Sequence, residues 1–270
     1  MAIHLLHGCA PTWIPGQQNA RNYVAEATLR SYMKALPSKY GAALSSTGPD
    51  ILTIDDSTKG GGRAAAIACE YGHAVFLFVN PHQIETGEPY YFSLLNACLD
   101  NWRETKIEYR GEHYDFPAGA RAFRMAAKRI LSCMEPQAAL KHVAEIAELL
   151  NCRTCEIPEH AQTLTLGELL HLRDIGVTIE NHGWAHRNID ALSENQLKDD
   201  ISATHLWLLD RLDIRSTRYA IPFGETRIPI GSFEAFSETV FFADMRLAPG
   251  QIGNNTWNRV EITRGLQNAH

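Results

Sequence analysis

Hydrophobic positions along this chain alternate between two spacings. Short, mostly apolar runs recur at residues 3–7, 51–54, 73–79, 177–180, 218–221, 240–245 and 260–263. Runs of that length, rich in β-branched and aromatic residues, predict strands covered on both faces. Between them the apolar positions fall at helical spacing. Val24, Ala27, Leu29, Met33 and Leu36 predict a helix over 20–35 that stops at Pro37. A second is predicted from Gly62 to Tyr71, ended by Gly72. A third runs from Leu164 to Asp174, opened by Thr163 or Thr165 and ended by Gly176. Ser193, with Gln196 three residues on, predicts the cap of a long helix reaching Leu212. Strand, helix, strand in that order implies parallel βαβ units and an α/β fold. Residues 45–50 predict a loop.

From Asn80 to Asn151 the strand signal fades. Helical patches are expected at 90–103, 118–133 and 136–150, with a polar region at 110–115. This reads as a largely helical insertion, about 81–150, within one domain spanning 1–270. It is expected to pack against the strands or cover their mouth.

Composition narrows the function. A net charge of −6 argues against a nucleic-acid partner, because phosphate binding needs a basic face. The hydrophobic fraction of 45% is ordinary for a globular protein, and a chain of 270 residues can bury a substantial core. Met1 to Gly8 shows no basic n-region, and no apolar stretch is long enough to span a bilayer, so the expectation is a cytoplasmic protein without an integral membrane segment. The six cysteines are too dispersed for a disulfide scaffold, and most read as small buried hydrophobes. Cys152-Arg153-Thr154-Cys155 is a lone C-x-x-C with no second pair at finger spacing, so packing is the expected role.

Three polar clusters each follow a predicted strand: Asp55-Asp56, His182 with His186, and Pro222-Phe223-Gly224. Parallel strands gather their carboxyl ends on one face, so these clusters would meet. In a regular strand, neighbouring side chains point to opposite faces, so Asp55 and Asp56 are expected to have different surroundings. Two adjacent carboxylates repel, and a bound cation would relieve that repulsion. Two His four apart plus a carboxylate is a common catalytic metal set, because it leaves a position open for water. Gly60-Gly61-Gly62 lacks the following G-K-[ST] of a phosphate loop and is expected to let the backbone turn tightly past the site. Lys59 reads as a solvated surface residue, and Tyr90, Tyr91 and Phe92 as core of the insertion.

Thr53-Ile54-Asp55-Asp56, Asn181-His182-Gly183-Trp184-Ala185-His186 and Tyr219-Ala220-Ile221-Pro222-Phe223-Gly224 together resemble, in order and spacing, the first three motifs of the polysaccharide deacetylase (NodB-homology) family. Asn258-Arg259-Val260-Glu261-Ile262 resembles the closing strand of that family. The resemblance covers residues 45–80 and 160–265. It implies a distorted (β/α)7 barrel and metal-dependent hydrolysis of an N-acetyl group on an amino sugar. By position, Asp55 would be the general base, and Asp56, His182 and His186 would hold a divalent metal, zinc first, with cobalt, nickel or manganese as alternatives. Pro222 and Phe223 would contact substrate, and Trp184 would either wall the pocket, where an indole suits a sugar face, or belong to the core. A nucleotide-sugar, lipid-linked or oligosaccharide substrate would place the reaction in the synthesis of surface polysaccharide such as lipopolysaccharide or O-antigen.

The chain departs from the family pattern at four points. Gly183 stands where a Ser or Thr usually helps hold the loop. Ala220 occupies the slot of an Arg that orients the catalytic carboxylate, with Arg218 two residues upstream. Phe223 replaces a Tyr. No late Leu-x-His supplies a general acid; His270 is the last residue, which leaves His7 and His113 as candidates. A related amide hydrolase on a small molecule (a deformylase or deamidase) and a degenerate carbohydrate-binding protein are the competing readings.

Overall fold

The computed structural model describes residues 2–11, 17–36, 39–41, 49–152, 155–236, 238–245, 247 and 250–267. Most of the expected loop at 45–50, and His270, lie outside them. Seven short strand positions lie side by side in parallel. They run Ile3–Leu6, Ile51–Ile54, Val75–Val79, Thr178–Asn181, Arg218–Ala220, Val240–Ala243 and Thr256–Asn258. The last position is shared. Asn258 pairs with Ala243, and only two residues later Val260 pairs with His4 at the other end of the row. Arg259 N–H donates to the Ala243 carbonyl at 2.8 Å, and Ile262 N–H donates to the Leu5 carbonyl at 3.0 Å. The stretch 256–261 therefore joins the two ends of the row, with Arg259 at the seam. This is the expected α/β architecture, a strongly distorted seven-position ring. The distortion is concentrated where Thr178–Asn181 meets Arg218–Ala220, through the single pair Asn181–Tyr219.

Strand alternation explains why these segments are apolar at every position. Ile3, Ile51, Phe76, Phe78, Ala220 and Phe242 form the cluster enclosed by the strands. The alternate residues Leu52, Ile54, Val75, Leu77, Val79 and Ile179 face the surrounding helices. Each large apolar side chain so buried contributes roughly 1.5–3 kcal/mol. The strand at 256–258 is one the sequence pattern missed.

Helix starts follow capping chemistry. Thr165 and Ser193 form capping boxes with Glu168 and Gln196. The helix expected over 20–35 occupies only Glu26–Ala35, because Val24–Ala25 pairs with Cys9–Ala10 and Gln18–Ala20 forms a 3-10 turn. The glycine triplet is not a turn. It forms the first turns of a helix, Lys59–Glu70, capped by the Thr58 hydroxyl. A Cβ on Gly60 would lie 2.7 Å from the Cys9 carbonyl and 2.8 Å from that of His160, so glycine is required there by close backbone approach.

Residues 81–150 hold helices Pro81–Thr86, Tyr91–Asp100, Ala120–Leu131 and Pro136–Leu149. The polar region at 110–115 belongs to an antiparallel hairpin, Lys106–Tyr109 with Glu112–Asp115, turning through Arg110 and Gly111 at positive φ. Ile107, Tyr109, Phe123, Leu131, Val143 and Ile146 belong to its own apolar cluster. Among the described residues, no helix is long and apolar enough to cross a membrane.

Candidate active site

The Asp-Asp pair lies just past its strand. Asp55 N–H still donates to the Leu6 carbonyl, at 3.2 Å, but Asp56 is in the left-handed region at φ 70. That kink, not strand alternation, sends the two carboxylates to different partners. His186 (φ 53) and Phe223 (φ 68) share this conformation. For non-glycine residues it costs roughly 1–2 kcal/mol each, and three such residues at one place mark a site where geometry is held against local preference.

Asp56, His182 and His186 converge. His182 Nδ1 is 2.9 Å from the Ala220 carbonyl, which turns its Nε2 toward Asp56 Oδ1, 3.6 Å away. His186 Nε2 lies 3.1 Å from the same oxygen. Against the cost of burial, the imidazoles of His186 and His182 hold the Asp56 carboxyl well below the usual range. Yet Asp56 Oδ1 is buried with no hydrogen-bond partner. An orphaned carboxylate oxygen facing two imidazole nitrogens fits a divalent cation, and the three donor atoms lie within 4.8 Å of one another.

Asp55 turns the other way. Arg259 donates from Nη1 to Asp55 Oδ1 at 2.7 Å and from Nη2 to Asp55 Oδ2 at 2.6 Å. Its Nε also donates to Asp244 Oδ1 at 2.7 Å. Burial would raise the Asp55 value, but the guanidinium and His182 outweigh it and keep the carboxyl ionised. No arginine stands at position 220, and the guanidinium that clamps Asp55 comes from Arg259 instead. Arg218 does not reach the site. It donates to Glu180 Oε1 at 2.6 Å, and its guanidinium lies 4.6 Å above the Phe76 ring.

The histidine loop is held by residues outside the motifs. Asn80 Nδ2 donates to the carbonyls of His182 (2.6 Å) and Gly183 (2.9 Å). Tyr90 Oη donates to Asn80 Oδ1 at 2.8 Å and accepts from Ser57 N–H at 2.8 Å, coupling this loop to the Asp-Asp loop. Tyr90 is therefore a bridging residue as well as core. Trp184 N–H donates to Asp200 Oδ1 at 3.1 Å. A Cβ on Gly183, at φ 78, would lie 2.7 Å from Asp200 Oδ2, so a side chain there would be strained and would have to displace Asp200; Asp200 and Asn80 hold the loop instead.

These groups form the floor of an open cavity of about 1230 Å³. Asp55, Asp56, His182, His186, Phe223 and His7 all line it. His7 Nδ1 is buried without a hydrogen-bond partner. Phe223 packs edge-on to His186, with centroids 4.6 Å apart. The other expected contacts fall elsewhere. Trp184 packs on the core between strands and helices, drawn there by its apolar ring. Pro222 is buried beneath Gly183 and does not line the cavity. His113 is exposed on the hairpin, away from the cavity.

The wall opposite the floor comes from helix Ala120–Leu131. Arg121, Arg124 and Lys128 line the cavity, while Phe123, Ala127 and Leu131 face the core of the insertion. Lys128 Nζ lies 4.8 Å above the Phe223 ring. Burial, aided by Arg124, pushes the Lys128 ammonium down to about 8. The i, i+3, i+7 spacing of these cations was a readable signal for a cationic helix face.

One family, described as polysaccharide deacetylase, has a sequence model that matches residues 156–233. No curated protein matches the chain. Solved structures share its fold, three of them as follows. The deacetylase PplD of Streptococcus pyogenes, in complex with acetate, is 13% identical, with 99% of this chain and 93% of that one covered and a TM-score of 0.61. IcaB from Ammonifex degensii is 9% identical, with 98% and 96% covered and a TM-score of 0.56. A polysaccharide deacetylase from Bacillus cereus is 12% identical, with a TM-score of 0.54; 97% of this chain aligns, spanning 64% of that protein. At these identities the structural likeness is one of fold.

Proposed function

For a chain with polysaccharide deacetylase motifs on a deacetylase-like fold, we propose hydrolysis of an N-acetyl group on an amino sugar. The observation that carries this reading is the pair of carboxylates on one cavity floor. Asp55 is clamped and ionised by Arg259, and beside it Asp56 joins His182 and His186 in an unsatisfied donor set. Asp56, His182 and His186 would hold a divalent ion, with zinc the first choice for a carboxylate and two imidazoles. When bound, that ion supplies a Lewis acid that acidifies water and polarises the amide carbonyl.

The remaining steps belong to the chain. Asp55 accepts the proton of the attacking water on the carboxylate that Arg259 orients. His7 is the residue on the cavity wall suited to deliver a proton to the departing amine nitrogen as the C–N bond breaks. The products are acetate and a free amino sugar. Among the described residues, no ion pair joins Arg121, Arg124 or Lys128 to a carboxylate, and all three line the cavity. They suit a substrate with an anionic group beyond the acetamido sugar, as a nucleotide-sugar or a phosphate-linked lipid intermediate of surface-polysaccharide synthesis would have.

The test is acetate release from a panel of N-acetylated sugars, free and phosphate-linked, by zinc-loaded protein and by Asp55→Asn. Turnover on a phosphate-linked member that Asp55→Asn abolishes is expected. Stoichiometric metal at Asp56, His182 and His186 with no acetate release from any member would sink the hydrolase reading in favour of a binding protein.

A further inference from the structure

A second donor cluster lies outside the cavity. Cys98 sits on helix Tyr91–Asp100, while Cys152 and Cys155 follow helix Pro136–Leu149. The fold brings the three together: Cys98 Sγ is 2.9 Å from Cys155 Sγ, which is 3.1 Å from Cys152 Sγ. All three sulfurs fall within 4.8 Å of one another, and no disulfide joins any of them.

Ordinary packing does not account for this arrangement. Non-bonded heavy atoms are best separated by about 3.5–4.0 Å, and thiols are only weak hydrogen-bond partners. Cys98 is fully buried in the apolar cluster of the insertion, and the other two pack against it. Three thiolates side by side in that apolar setting would repel one another, so the cluster gains nothing as isolated thiolates. A cation shared by three sulfurs reverses that balance, since it compensates the charge of each thiolate.

The geometry points to a three-thiolate binding site for one soft cation with a filled d shell, Zn2+ or Cu+. Soft sulfur ligands select such ions, whereas the carboxylate and imidazoles of the cavity form a harder set. Binding converts three S–H groups to three metal–sulfur bonds and releases three protons to solvent; no electrons move. Zn2+ would complete its four-coordination with a solvent or external ligand, and Cu+ is satisfied by three sulfurs.

Position suggests a purpose. The cluster ties the first long helix of the insertion to the chain as it leaves the last one. Between these tie points lies Ala120–Leu131, which carries Arg121, Arg124 and Lys128 to the cavity. Small cores gain stability from metal staples, and here the staple would fix the cationic wall over the floor.

The experiment uses the full chain, reduced and stripped of metal, titrated with Co2+ and followed by the near-ultraviolet thiolate-to-cobalt charge-transfer band. One equivalent of this band is expected in wild type, in Cys133→Ser and in His182→Ala. It should vanish in Cys98→Ser and in Cys155→Ser, with circular dichroism checking that each variant is folded. Competition with Zn2+ and with Cu+ then identifies the preferred ion. No band in reduced wild type would overturn the proposal, as would a band that survives in folded Cys98→Ser. Protein isolated two hydrogens lighter, with only one thiol of the three titratable and no band regained on reduction, would overturn it in favour of a disulfide. Acetate release plays no part in this readout, so it stands or falls separately from the deacetylase reading.

Discussion

Two arginine–carboxylate pairs, each with a buried carboxylate and built from similar parts, have different consequences. Arg218 pairs with Glu180 on the adjacent strand and stacks over Phe76. Arg259 pairs with Asp55 across the seam of the ring, its guanidinium 5.8 Å from the Phe78 centroid. Phe76 and Phe78 are alternate residues of one strand, so the two arginines mark successive levels of the same interior. Glu180 is enclosed, its oxygens accepting from Arg218 and from Ser216 Oγ at 2.6 Å. Asp55 is clamped on one side and lines the cavity on the other. The same ion pair is sealed away at Glu180, whereas at Asp55 it holds a carboxylate that meets the cavity and that, in the proposed reaction, would act as the base.

The sharpest test of that difference is on the carboxylate itself. Asp55→Asn should cut acetate release by about 10²–10⁴-fold, the usual contribution of a general base, while the protein stays folded. Arg259→Met comes next. It leaves the buried Asp55 facing the half-buried Asp244 without a cation between them, so turnover should fall by roughly 10²-fold or more and stability by about 3–5 kcal/mol in urea melts. Arg218→Met should cost a similar roughly 3 kcal/mol yet leave kcat within a few-fold of wild type. Equal turnover losses in the two arginine variants would erase the distinction.

A buried carboxylate without a guanidinium clamp sharpens it further. Burial pushes Asp200 up to about 6, against the Trp184 N–H that it accepts. Its folded value lies above the unfolded one, so the folded state binds more protons between about pH 4 and 6, and stability declines as pH rises through that window. Asp200→Asn should flatten this slope, worth roughly 2–3 kcal/mol, as read from melts at pH 4 and pH 7. The smallest effect concerns Lys128, charged below about 8 and neutral above. KM for a phosphate-linked substrate should rise about fivefold as pH passes through that value, and Lys128→Met should remove the dependence.

Much of the architecture was legible because its causes are local. Strands buried on both faces leave apolar runs, and capping boxes at Thr165 and Ser193 announce helices within four residues. The convergence of Asp56 with His182 and His186 was legible too, since these residues each follow a strand and parallel strands collect their ends. The hairpin at 106–115 was missed, although Ile107 and Tyr109 alternate with polar residues before Arg110-Gly111. The misplacement of Trp184 has another origin: a large apolar ring beside a site is drawn to the nearest core as readily as to a pocket.

The sequence alone determined most of the parallel strands, the capped helix starts at Thr165 and Ser193, and which residues could ligate a cation. It did not determine who orients Asp55, what holds the histidine loop, or that Cys98 joins the C-x-x-C. Arg259 lies 204 residues from Asp55, and Asn80 lies 102 residues from His182. Periodicity and capping act over a few residues. Such distant pairs come into contact only when the strand row closes on itself and the insertion folds back over its mouth.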